Sequence, residues 1–214
     1  MYELIILSHL MLQPAHGYKI ASIINDMMGP YARISNGRLY PLLLKMEKSG
    51  LIAPYIEAPT GQQSDRQLRT YEITEAGRKR FHELMMDTTS NPGEYQKIFL
   101  QKVSMLEFLK SSERLRLIDH YINYCQAHVM HIMAEADDLV QRSPNWGPEW
   151  RLMRFKAILD VMQHMIDQWQ LELNWAKALH ERELARIESS DSEILAEHRK
   201  SFIQTEDSYS PEGD

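Results

Sequence analysis

The sequence predicts a mainly α fold in two parts, an N-terminal winged helix-turn-helix and a C-terminal set of long antiparallel helices forming a dimerisation domain. Three observations carry this prediction. Between Ser35 and Ile52 lies a helix with one apolar and one basic face. Two short β-leaning runs follow it, Ile52 to Glu57 and Arg69 to Thr74, separated by a polar spacer. Further on come two long heptad patterns joined by a short connector.

Residues 2 to 12 are apolar nearly all round, the pattern of a buried helix. Glu3, Ser8 and His9 interrupt the apolar run and no basic flank precedes it, so this is a core helix and not a signal peptide. Pro14-Ala15-His16-Gly17 breaks the helix. A second helix then carries Ile20, Ile23, Ile24, Met27 and Met28 on one stripe, ends at Gly29-Pro30, and is followed by a turn over Tyr31 to Ile34.

In the third helix, Leu39, Leu42, Leu43 and Met46 recur at the spacing of a buried face, while Arg38, Pro41, Lys45 and Lys48 share a different, narrow face. Ser35 is the expected N-cap, and Ser49-Gly50 supplies the stop. The Pro41 ring would collide with the carbonyl of Gly37, which predicts an irregular or kinked first turn. The spacer from Ala58 to Leu68 is too long for a tight hairpin and suits a wing. Thr74 caps a helix over Glu75 to Met86. Thr88 to Gly93 is the clearest linker, which makes residues 1–90 the winged-helix domain.

Residues 91–188 form the predicted helical domain. Tyr95 to Lys110 reads as a helix with Phe99, Val103, Leu106 and Leu109 apolar. Leu115, Ile118, Ile122, Cys125, Val129, Ile132, Ala136 and Leu139 then alternate spacings of three and four. Leu152, Phe155, Leu159, Met162, Ile166, Trp169, Leu173 and Ala176 repeat the pattern. The connector from Arg142 to Pro148 folds the two helices back on each other. Such a pair cannot cover its seams and also the flanking Ile158, Met165, Trp175 and Leu179, so a second copy of the chain is expected to cover the remainder. Leu115, Ile118, Ile122, Leu159, Met162, Ile166 and Leu173 are the expected dimerisation contacts. The tail, 189–214, reads as partly helical (Glu193 to Ile203) and then disordered.

A hydrophobic share of 43% and a charged share of 25% describe an ordinary globular protein. No apolar run approaches the roughly 20 residues of a membrane span, and the single Cys125 rules out an intrachain disulfide framework. Cytoplasmic residence is the expectation. The net charge of −6 is unevenly spread: residues 1 to 90 hold ten Lys+Arg against nine Asp+Glu, and residues 91 to 214 hold fourteen against twenty-one. A mildly basic head on an acidic body is compatible with DNA as a partner, because phosphate contact is local.

Four blocks now carry a family resemblance: His16-Gly17-Tyr18-Lys19-Ile20, Gly37-Arg38-Leu39-Tyr40-Pro41, Glu47-Lys48-Ser49-Gly50-Leu51-Ile52, and Tyr71-Glu72-Ile73-Thr74-Glu75-Ala76-Gly77. Together and in this order they resemble the PadR family of bacterial transcriptional regulators over about residues 1 to 90, and the remainder fits that family's longer members. The resemblance implies double-stranded operator DNA as partner, a homodimer built by the C-terminal helices, and in many members a response to small molecules such as phenolic acids.

On this reading Arg38 and Lys45, with Ser35, Asn36 and Tyr40 near the helix start, meet the DNA, joined by Gln62, Gln63 and Arg66 in the wing and by His16, Tyr18 and Lys19 at the second helix. The bland alternative is a solvated polar face. An aromatic effector would find its walls and polar groups among His9, Gln13, His128, His131, Arg154, Gln168 and Trp169, which could equally belong to a dimer core and its rim. Cys125, His128 and His131 sit three apart on one helix, yet Cys125 also belongs to the heptad seam; packing accounts for them and no metal site is expected. Neither a nucleophile motif nor a Gly-rich phosphate loop is present, and Asp137-Asp138 diverge on their helix, so no catalytic residue and no cofactor are expected. The sequence reading is therefore a homodimeric repressor released by a small aromatic ligand. Its alternatives are an activator of the same fold and a helical protein–protein interaction module without DNA binding.

Overall fold

The computed structural model describes residues 1–28, 33–55, 69–142 and 149–207, with side chains of the last segment described from 152 to 189. The chain divides into two compact units, Met1–Leu109 and Lys110–Asp214. The linker read over Thr88 to Gly93 lies within the first of these units.

In the first unit, α1 (Tyr2–Leu12) buries Leu4, Ile5, Ile6, Leu7 and Leu10 and packs against α2 (Gly17–Met28), α4 (Glu75–Met86) and strand β3 (Thr70–Ile73). Ser8 is buried with them, its hydroxyl donating to the Ile5 carbonyl at 2.9 Å, which satisfies the only polar atom its side chain brings into the core. Between α1 and α2 the chain forms a strand absent from the sequence reading, β1 (Ala15–His16). It is one edge of a three-stranded antiparallel sheet of order β1-β3-β2, with β2 at Ile52–Pro54. Ala15 faces Tyr71, and Ile52 faces Ile73.

Helix α3 (Asn36–Lys48) buries Leu39, Leu43 and Met46, and Leu42 is half-buried. It runs unbroken through Pro41, so the irregular first turn expected there does not occur. One amide is lost without breaking the helix, since the amides of Arg38 and Leu39 both reach the Ser35 carbonyl at 3.0 Å and close the first turn. Ser35 is the N-cap residue in extended backbone, but its side chain makes no capping bond.

The exit from α3 is fixed by two glycines. Gly50 has φ +70°, the left-handed conformation that glycine adopts without steric cost. Thr74, the N-cap of α4, accepts from the Gly77 amide at 3.0 Å, while its hydroxyl lies 2.6 Å from the Gly50 carbonyl oxygen and 3.0 Å from that of Leu51. A β-carbon at Gly77 would lie 2.0 Å from the Leu51 carbonyl oxygen, so only glycine permits this approach. The α4 bounds match those read from the sequence.

Helix α5 (Tyr95–Val103) stops short of the predicted Lys110; a 3-10 turn over Leu106–Phe108 completes the segment. Its Lys102 is 1% exposed, with Nζ donating to the Asp87 carbonyl at 2.5 Å and lying 5.9 Å from the centre of the Tyr95 ring. Burial pulls the Lys102 ammonium down to a pKa of about 8. The Asp87 carboxylate accepts from the amides of Thr89 and Ser90, and hydrogen bonding, first from the Ser90 side chain and then from the Thr89 amide, lowers its pKa to about 2.

The second unit is built on α6 (Ser111–Arg142) and α7 (Glu149–Asp207), which pack together as an antiparallel pair. The predicted stretch Glu193 to Ile203 lies inside α7, and residues 208–214 lie outside the described residues. Of the predicted seams, Ile118, Cys125, Val129, Ile132, Leu173 and Ala176 are buried, joined by Leu117, Tyr121 and Leu179. Among the described residues of both units, no helix is long and apolar enough to cross a membrane.

Candidate nucleic-acid interface and effector residues

Burying Leu39, Leu43 and Met46 leaves Ser35, Asn36, Arg38, Tyr40, Pro41, Lys45 and Lys48 exposed. The first unit thereby presents the polar side of α3 with its first turn open. Three contacts fix this presentation. Asn25 on α2 accepts from the Ile34 amide at 2.7 Å through Oδ1, tying the residue before the N-cap to α2. The Tyr40 ring covers Gly17, whose β-carbon position lies 3.0 Å from Tyr40 Cε1. The Arg38 guanidinium carbon sits 5.6 Å from the centre of the Tyr2 ring.

At the start of α2, Tyr18 is 74% exposed, Lys19 is also exposed, and the His16 ring lies 6.4 Å from that of Tyr18. The structure therefore gathers His16, Tyr18 and Lys19 on one corner. Gln62, Gln63 and Arg66 lie outside the described residues. Arg69, at the foot of the wing, pairs with Glu47 of α3 at 2.5 Å and lies 5.7 Å from the Tyr71 ring centre. Sequence reasoning missed the roles of Tyr2, Asn25 and Glu47. Each acts through a partner distant in sequence, and no local spacing signals such a pair.

The candidate effector residues divide between the units. His9 and Gln13 belong to the first. His9 is half-buried, its Nε2 has no hydrogen-bond partner among the described residues, and burial, then Lys19, lowers its pKa. Gln13 is exposed. In the second unit the His128 and Trp169 rings stack, centroids 4.1 Å apart and planes 4° from parallel. Tyr124 sits edge-on to both, at 4.5 Å from His128 and 5.6 Å from Trp169. Tyr121 is edge-on to Trp175 and its hydroxyl donates to Glu172 at 2.5 Å. Burial, with His131 second, lowers the His128 pKa. His131, Arg154 and Gln168 are exposed. Of the seven residues, only His128 and Trp169 are thus shown in mutual ring contact, as a filled aromatic stack.

Burial raises the Cys125 thiol to a pKa of about 11, which opposes the thiolate that a metal requires. Among the described residues no group of three or more His, Cys, Asp or Glu is placed to hold a metal ion.

The residues expected at a dimer interface fall into two sets. Ile118 and Leu173 are buried within one chain, so they fasten α6 to α7 and are not free for a partner. Leu115, Ile122, Leu159, Met162 and Ile166 remain half-exposed. Met130, Met133, Val140, Val161 and Met165 are exposed, from 40% at Met165 to 70% at Met130.

A helix packed on α2, with a three-stranded sheet at its exit and its polar side open, defines the first unit as a winged helix-turn-helix. Residues 6–83 match the transcriptional regulator PadR-like family, so this region is a PadR-like domain and the resemblance read from its four blocks holds. It is a family of regulators, not of enzymes.

Similar solved structures include Bacillus subtilis PadR in complex with operator DNA, at 18% identity over 85% of this chain and 98% of that one, with a TM-score of 0.37. Bacillus subtilis PadR in complex with p-coumaric acid is another, at 16% identity, 85% and 97% coverage and a TM-score of 0.35. A transcriptional regulator from Clostridium thermocellum is 28% identical over 50% of this chain and 92% of that one, with a TM-score of 0.32. No curated protein sequence matches the chain.

Proposed function

We propose that the protein is a homodimeric, sequence-specific repressor that binds a palindromic operator and is released by a small aromatic ligand such as a phenolic acid. The observation that carries the DNA reading is the division of α3. Three apolar side chains seat it in the core, and Ser35, Asn36, Arg38, Tyr40 and Lys45 are left in solvent on the remaining surface. Arginine and asparagine can address base edges, and lysine neutralises phosphate. Lys19, Tyr18 and His16 extend the polar surface to the start of α2.

The dimer reading is supported by the apolar side chains that α6 and α7 leave in solvent, which a second copy would cover under two-fold symmetry. Two heads related by that axis read half-sites one helical turn apart, or a multiple of it. The effector acts by favouring a dimer geometry that no longer fits the spacing. The aromatic cluster of Tyr124, His128 and Trp169 is the place for it, with the stack opening to admit a planar ring.

The test is binding of the purified protein to the promoter upstream of its own gene, at two salt concentrations, with and without a panel of phenolic acids. Replacing Arg38 and Lys45 together by Ala is expected to lower operator affinity on the order of 100-fold while the dimer persists, since one base contact alone carries about 1–3 kcal/mol. Unchanged binding by that double variant overturns the DNA reading, and saturating ligand without effect on affinity overturns the effector.

A further inference from the structure

Among the described residues Arg38 lies over an aromatic ring and is paired with no carboxylate. Its guanidinium carbon lies 5.6 Å from the centre of the Tyr2 ring, inside the range of a cation–π contact. Among the described residues two other cations lie over rings. Arg69 is also paired with Glu47, and Lys102 is buried, so Arg38 is the one on the open side of α3.

The chemistry of the anchor matters. A carboxylate would orient the guanidinium but also neutralise it and occupy its N–H donors, leaving little for nucleic acid. A ring beneath the guanidinium restricts its rotamers while leaving the charge intact and the in-plane donors free. Those donors, in a fixed fork, match the paired acceptors O6 and N7 of guanine in a major groove. Tyr2 is itself well seated: it opens α1, whose next turns bury Leu4, Ile5, Ile6 and Leu7. The half-buried Tyr2 ring is thus carried by a helix seated in the core and brought by the fold to the first turn of α3.

We propose that Tyr2 is a positioning residue for base readout, holding Arg38 in the orientation in which its fork meets a guanine edge. This rests on the reading of α3 as the DNA-contacting helix. The Tyr2 ring reduces the ordering Arg38 must undergo on binding, and so sharpens discrimination at one base position without adding a contact of its own to DNA.

The experiment uses the full chain and the highest-affinity duplex recovered from a random pool by the wild-type protein. Tyr2→Phe keeps the ring, Tyr2→Leu keeps apolar cover without it, and Tyr2→Ala removes both. Tyr2→Phe is expected to bind like wild type, and Tyr2→Leu and Tyr2→Ala to lose about 2–5-fold on the selected duplex, the size of an exposed cation–π contact. Affinity for a scrambled duplex and the salt slope stay unchanged, because phosphate contacts are untouched. In an Arg38→Ala background the Tyr2 substitutions have no further effect. Tyr2→Leu that binds like wild type, binds more tightly, or adds independently to Arg38→Ala overturns the proposal. If Arg38→Ala itself binds like wild type, or no duplex is enriched, the underlying DNA reading falls instead.

Discussion

In the first unit α1, α3 and α4 each bury an apolar stripe among neighbouring elements, with single side chains such as Leu12 and Leu44 left exposed, whereas in the second two helices cover each other along one stripe and leave methionines and valines outside it. Leu39 and Leu43 of α3 are 0% exposed; Met130 of α6 is 70% exposed. The difference is one of geometry. Three helices and a sheet can enclose a core, but two long helices have only one shared seam, and residues flanking it stay wet unless a further helix arrives. The first unit thus encloses a core of its own, whereas the second leaves an apolar flank in solvent.

The largest expected break of this contrast is Gly77→Ala. Its β-carbon would enter the Leu51 carbonyl, where backbone and not a pliable side chain stands in the way, so a loss of about 3–5 kcal/mol is expected, enough to unfold the head. Thermal melting followed by circular dichroism checks it: the transition of the first unit is lost and that of the α6–α7 pair remains. Equal loss of both transitions would show that the units do not fold separately.

Next in size is an insertion of charge on the wet flank of the body. Met133→Glu combined with Val161→Glu is expected to raise the dimer dissociation constant at least tenfold, since each buried apolar side chain contributes about 1.5–3 kcal/mol. Sedimentation velocity over a concentration series checks it, with the head's melting temperature as control. A monomeric wild type would remove the premise.

The smallest effect belongs to Lys102. Its folded pKa, about 8, lies below the ordinary 10.5, so the unfolded chain holds the proton more tightly. Stability of the first unit therefore rises as pH goes from about 8 to 10.5, and Lys102→Met flattens that rise. Denaturant melts at several pH values check the slope; a wild type whose stability is flat over this window refutes the buried ammonium.

How much of this was legible in the sequence follows the same division between local and distant causes. Helix α4 could be read to the residue because its cap, Thr74, and its stop are local. The apolar face of α3 followed from spacing alone. Strand β1 could not be read, since two residues acquire strand geometry only through Thr70 and Tyr71, more than fifty positions away. Helix α5 was read too long because apolar residues at helical spacing continue through Leu106 and Leu109, which the chain buries in a 3-10 turn and in the extended residue that follows it. At the candidate site, the polar face of α3 was legible, while the Tyr2 platform and the Glu47–Arg69 pair were not. The seam of α6 was right in period, but Ile118 within it is consumed by α7 and not by a partner.

One consequence of the aromatic cluster is optical. All four tryptophans of the chain, Trp146, Trp150, Trp169 and Trp175, belong to the second unit and none to the first. Tryptophan emission, excited selectively at the red edge, therefore reports on the second unit and not on unfolding confined to the first. Trp169 is stacked face to face on His128, so under the proposed effector reading a ligand ring that parts this stack is expected to change Trp169 emission. A titration with an aromatic acid that is transparent at the excitation and emission wavelengths chosen for tryptophan would test this, with no label on the protein and no DNA in the cuvette.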